Sequence, residues 1–109
     1  MSARRDDGLF LGDILEAIER IESYTTGVGE AAFFDSNLLQ DAVIRQLEII
    51  GEAAKRLSPS FRSACPGVPW KDIIGMRAKL AHDYMTVDLQ AVWDTVVRDI
   101  PALRLELDR

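Results

Sequence analysis

The chemistry available to this 109-residue chain is concentrated in one short run, Gly75-Met-Arg-Ala-Lys-Leu-Ala-His-Asp-Tyr84, which holds its single histidine. Three residues there have catalytic capacity: Arg77, His82 and Tyr84. A histidine titrating near neutrality can take a proton from a ribose 2′-hydroxyl or give one to a leaving oxygen. Arginine stays charged and presents phosphate oxygens with a planar fork of donors. Attack of a 2′-oxygen on the adjacent phosphodiester builds negative charge on those oxygens, so a nearby guanidinium favours the transition state. Arg77 with His82 therefore suits metal-independent RNA cleavage, and DNA, lacking the internal nucleophile, would be spared. Other signatures are missing: the chain has no phosphate-cradling glycine loop, no paired-cysteine metal spacing and no Gly-x-Ser-x-Gly turn. A lone histidine excludes a multi-histidine metal site within one copy of the chain, and no cofactor is expected.

Spacing constrains how the pair could meet. Five residues along an ideal helix turn through about 500°, which leaves Arg77 and His82 about 140° apart. Three routes stay open. The helix unwinds before His82, the long arginine side chain reaches around, or a two-fold dimer brings two copies of the segment together. The dimer would also supply the separate acid and base that one histidine per chain does not. Lys71 and Lys79, on either side of Arg77, are candidate phosphate contacts. Set against these roles, His82 taken alone reads first as a partly buried or surface histidine. Tyr84 reads as an amphipathic edge residue, and Trp70 and Trp93 as core or interface anchors.

The elements that must position this run are helical. Leu11, Ile14, Leu15, Ile18 and Ile21 recur at three- and four-residue steps, and the predicted helix ends near Thr26-Gly27. Asp35-Ser36-Asn37 offers N-caps for a long second helix carrying Leu39, Val43, Leu47, Ile50, Ala54 and Leu57, stopped at Ser58-Pro59. Residues 58–69 form an irregular connection with one helical turn at Ser60–Ala64. A third helix is predicted from Pro69-Trp70 through Ile73, Met76 and Leu80 towards Tyr84. Thr86 or Asp88 caps a last helix with Leu89, Val92, Trp93, Val96, Val97 and Ile100, where Pro101 kinks the chain or starts a new turn. Gly51 and Gly75 fall inside predicted helices, each costing about 1 kcal/mol relative to alanine, and so mark close backbone approaches. The expected fold is all-α: an antiparallel bundle of four main helices plus short helical turns, in a single domain over residues 1–109.

Composition sets the outer limits. Apolar residues make up 48% and charged residues 28%, a globular balance rather than a disordered one. No apolar run reaches the roughly 18 to 20 residues of a membrane span, and the start of the chain lacks the apolar stretch of a secretory signal. One cysteine, Cys65, excludes an internal disulfide framework and fits a reducing cytoplasm. The net charge of −5 argues against a protein that coats nucleic acid. Charge is segregated, however: residues 53–82 carry +5, against −7 before them and −3 after. Either the acidic helices pair with this stretch, or it forms a local anion site touching phosphate at one place.

Arg77-x4-His82-x-Tyr84 resembles the R-x4-H-x-Y signature of HepT-like toxins, a branch of the HEPN superfamily. The likeness extends through Asp13-Ile-Leu-Glu-Ala-Ile, Leu47-Glu-Ile-Ile-Gly-Glu-Ala-Ala-Lys-Arg-Leu57, Pro69-Trp-Lys-Asp-Ile-Ile-Gly-Met-Arg77 and Val87-Asp-Leu-x-x-Val-Trp93, in family order. The resemblance implies a HEPN-like helical bundle that dimerises with its motifs facing one another. It also implies a metal-independent endoribonuclease, the toxin of a bacterial type VII-like toxin–antitoxin pair. By the same resemblance Arg77 and His82 fall on the catalytic pair. The expected partner is a small nucleotidyltransferase antitoxin of the MNT type, and Tyr84 falls on the tyrosine that such an antitoxin modifies with AMP. Added phosphodiester-linked nucleotides there would place negative charge and bulk where RNA phosphate must sit. Two positions depart from the family pattern. Ala78 stands where a polar residue often follows the arginine, and Asp83 stands where many relatives have glycine, next to the expected RNA site.

Overall fold

The stripe of Ile14, Ile18 and Ile21 is fully buried in the computed structural model, which describes residues 3–80 and 87–108. It lies on helix α1, Ala3–Thr25, which extends N-terminally past the stripe. Gly27 follows at φ 76°, a conformation that favours glycine, and Val28 N–H donates back to Thr25 O at 2.9 Å to close the turn. A short helix α2, Glu30–Phe34, drops Phe33 into the core. The buried Gln40 amide donates to the carbonyls of Phe33 and Phe34, both at 3.0 Å, satisfying the end of α2.

Helix α3, Asn37–Arg56, begins on Ser36, whose Oγ accepts from Leu39 N–H at 3.1 Å. Its inner face buries Val43, Leu47, Ile50 and Ala54. Each larger side chain of this set contributes about 1.5–3 kcal/mol of burial. The Ser58-Pro59 stop ends α3 and starts α4, Pro59–Ala64, with Ser58 as its N-cap through Phe61 N–H. The Asp7 carboxylate on α1 accepts from both Ser58 N–H (2.7 Å) and Ser58 Oγ (2.6 Å), so the start of α1 lies beside the end of α3. The two long helices therefore run antiparallel.

Over its described part, the single third helix expected from Pro69 towards Tyr84 is two. Helix α5, Trp70–Ile74, stops at Gly75, and α6, Met76–Leu80, starts directly after it. Gly75 N–H still reaches Lys71 O at 3.0 Å, but its backbone turns to ψ 6° and breaks the rod. Among the described residues of the chain, a β-carbon at Gly75 would meet only the α5 carbonyls of Lys71 and Asp72, so within the bundle this glycine marks the break. Gly51 does mark an approach: a β-carbon there would sit 3.2 Å from Ile73 O, on α5. Trp70 anchors the same region, its indole N–H donating to Arg62 O (3.0 Å) and Cys65 O (3.1 Å).

Asp88, capping through Ala91 N–H at 3.0 Å, starts α7, Leu89–Asp94. A π-helical turn over Thr95–Asp99 and α8, Ile100–Leu107, continue the same rod. The wide turn sits just before Pro101, which has no N–H to return to Val97 O. The Ile100 N–H reaches Thr95 O instead, one residue further back than in an α-helix. Among the described residues the fold is all-α, and one continuous core joins these rods and takes in Val92, Val96, Ile100 and Leu103 with the buried residues of α1 and α3. No helix among the described residues is long and apolar enough to cross a membrane.

Candidate active site

Arg77 sits on α6 with its side chain beside Glu48 of α3. Its Nε lies 3.7 Å from Glu48 Oε2, a charge contact beyond hydrogen-bond length, and the arginine side chain is 80% exposed. The close fit of Gly51 against Ile73 O explains the placement. Without a side chain at position 51, α5 settles onto the α3 backbone, and α6 follows it to bring Arg77 beside Glu48.

An open groove of about 320 Å³ runs beside this pair. Helix α3 supplies its floor at positions 45, 48, 49, 52 and 56, which recur every three or four residues and so share one face. Phe10 and Asp13 of α1 form one wall, and Ile74 and Arg77 form the other. The Arg56 guanidinium lies 5.9 Å from the centre of the Phe10 ring, within cation–π range. Sequence reasoning singled out Arg77 here but not Arg45, Glu48, Glu52 or Arg56 as its neighbours. The available signal was the charged stripe along a helix whose other face is core.

The positive segment is divided rather than gathered. Lys79, two residues beyond Arg77, lines a different groove between α5 and α8, where its Nζ lies 3.4 Å from Asp99 Oδ2. Lys71 is exposed and lines neither groove. Arg77 and Lys79 each face a carboxylate from another element, so acidic helices do pair with part of this segment.

His82 and Tyr84, with Asp83, lie outside the described residues. What the fold fixes is the two ends of the segment that carries them. Leu80 is buried at the end of α6, and Asp88 N–H donates to Leu80 O at 2.9 Å, so the chain leaves and returns at one point of the core.

A family model described as Ribonuclease HepT-like matches residues 14–109, a span that includes the whole Arg77-x4-His82-x-Tyr84 signature. The chain belongs to the HepT-like ribonuclease family. Three relatives bear this out. "Probable ribonuclease HepT" of Thermococcus cleftensis is 43% identical over 100 residues, covering 92% of this chain and 91% of its own. "Putative RNase MJ1380" of Methanocaldococcus jannaschii is 37% identical over 106 residues, 97% of each chain. "Gamma-glutamylcyclotransferase and putative RNase MJ0434" of the same organism is 48% identical over 104 residues. The HepT-like chain spans 95% of itself but only 47% of that last relative's length. No solved structure matches it.

Proposed function

We propose that the chain is a metal-independent endoribonuclease of the HepT type, with Arg77 and His82 as its catalytic pair. One observation carries the reading. The HepT-like match runs from residue 14 to residue 109 and takes in a chain whose only histidine stands five residues after an exposed arginine at a groove. Family membership and the printed names of the relatives support RNA as substrate. In the proposed reaction a ribose 2′-oxygen attacks the adjacent phosphorus and the bond to the 5′-oxygen breaks. One imidazole takes the 2′-hydroxyl proton, a second acid protonates the leaving 5′-oxygen, and Arg77 compensates the charge on the non-bridging oxygens. The products are a 2′,3′-cyclic phosphate and a free 5′-hydroxyl. Because one chain has one histidine, the reading calls for a homodimer that contributes two.

The wider role follows the same resemblance. We read the protein as the toxin of a toxin–antitoxin pair, acting in the cytoplasm and silenced when a nucleotidyltransferase antitoxin transfers AMP to Tyr84. Lys71 and Lys79 remain candidate RNA contacts, of which Lys71 is the one without a carboxylate partner among the described residues. A second reading, a catalytically silent helical module that binds a nucleotide or a partner protein, is favoured by Ala78 and by Asp83.

Growth and RNA integrity distinguish the two. Expression of the parent should arrest growth and degrade RNA, while Arg77→Ala and His82→Ala should do neither at unchanged helical content. Co-expression with a neighbouring nucleotidyltransferase should add mass in units of AMP, and Tyr84→Phe should abolish the addition. A parent that leaves RNA intact under all these conditions supports the silent module.

A further inference from the structure

The groove beside Arg77 is charge-balanced. Arg45, Arg56 and Arg77 line it with Asp13, Glu48 and Glu52. A track for backbone phosphate needs a cationic excess, because its affinity comes from neutralising phosphate charge. This groove lacks that excess. Its polar groups are also unequally occupied. Glu48 faces Arg77, and Arg56 lies over the Phe10 ring, whereas Arg45, Asp13 and Glu52 have no ion pair or hydrogen bond among the described residues. Ile49 and Ile74 add apolar surface to the same lining. Flat apolar and guanidinium faces next to unengaged carboxylate acceptors fit a neutral, planar heterocycle with donors on its edge. The volume of about 320 Å³ is at the lower end of small-ligand clefts, roughly 300–1,000 Å³.

We propose that this groove receives a nucleobase of the RNA strand, next to the phosphate engaged by Arg77, and that Asp13 and Glu52 select a base with an exocyclic amino group. This rests on the ribonuclease reading above and adds a substrate preference to it. Adenine, cytosine and guanine carry such an amino group, and a carboxylate accepts its hydrogen bond. Uracil has no amino group, and its single edge donor, N3–H, is flanked by two carbonyl oxygens, which a carboxylate repels. The Arg56–Phe10 pair provides a face on which the base stacks.

The test measures kcat/KM on short single-stranded RNAs that differ in one nucleotide, first on one side of the cleaved bond and then on the other. The parent should cleave the uridine substrate about tenfold less efficiently than the best amino-bearing one at one of these positions. Asp13→Asn and Glu52→Gln should each move that ratio towards one, because an amide can donate to a uracil oxygen as well as accept. Both positions are exposed, so the variants should fold, which circular dichroism checks. Equal cleavage of all four substrates by the parent, or ratios unaltered in both variants, overturns the base subsite and leaves the ribonuclease reading standing. A uniform gain on all four substrates with a changed salt dependence overturns it in favour of backbone phosphate in the groove. A change of oligomeric mass in Glu52→Gln overturns it in favour of a contact between copies. A parent that cleaves none of the RNAs overturns the ribonuclease reading, and the base subsite with it.

Discussion

Gly51 of α3 packs against the backbone of Ile73 on α5 so closely that a β-carbon would lie 3.2 Å from the carbonyl oxygen. Alanine is the better helix former by about 1 kcal/mol, and on propensity alone Gly51→Ala would stabilise α3. The neighbour is a main-chain oxygen in a packed helix, however, and it has little freedom to retreat. We expect Gly51→Ala to lower the melting temperature by a few degrees and Gly51→Val to lower it further. Thermal melts followed by circular dichroism check this, and a raised melting temperature for Gly51→Ala would contradict the packing account.

Glu48 holds Arg77 by a contact that is mostly solvent-exposed, and such pairs contribute about 0–1 kcal/mol to stability. Its value lies in where the guanidinium points. Glu48→Gln should leave the melting temperature within about 2 °C of the parent and reduce kcat/KM for RNA cleavage by about tenfold. Unchanged cleavage would mean that Arg77 finds its working position without Glu48.

The start of α1 is tied down by a buried carboxylate. Asp7 accepts two hydrogen bonds from Ser58, which also caps α4. Removing a charged acceptor from a buried pair costs about 1.5–3 kcal/mol, so Asp7→Ala should lower the melting temperature by about 10 °C. Ser58→Ala loses the cap as well, and the double variant should cost less than the two single ones added together, because they share one interaction. Additive losses would show that the two residues act independently.

The sequence made most of the fold legible because its signals were local and agreed with one another. Ser36 and Asp88 cap where their side chains suggested, Ser58-Pro59 separates two helices, and of the apolar stripe of α1 Ile14, Ile18 and Ile21 are buried while Leu11 and Leu15 are half-buried. Gly75 misled for a physical reason: the apolar period of Ile73, Met76 and Leu80 runs on through a glycine that lets the backbone turn, so the period survives a broken helix. The π-turn was half visible, since Pro101 announced a disturbance but not that it would be absorbed one turn earlier. At the site, Arg77 was singled out by its spacing to His82, which needs no tertiary information. The groove that surrounds it joins α1, α3 and α6 across 67 residues of sequence, from Phe10 to Arg77, and periodicity within one helix does not reveal such a meeting.

The central claim is that the strand's own 2′-oxygen is the nucleophile, with no metal ion required. It is tested most directly on two RNAs in excess EDTA, one unmodified and one with a single 2′-deoxyribose at the cleaved nucleotide. The account predicts that the unmodified strand is cut to a 2′,3′-cyclic phosphate and a 5′-hydroxyl, and that the deoxy-substituted strand stays whole at that bond. Cleavage of the deoxy-substituted strand at the same place, or cleavage that EDTA abolishes, would contradict it.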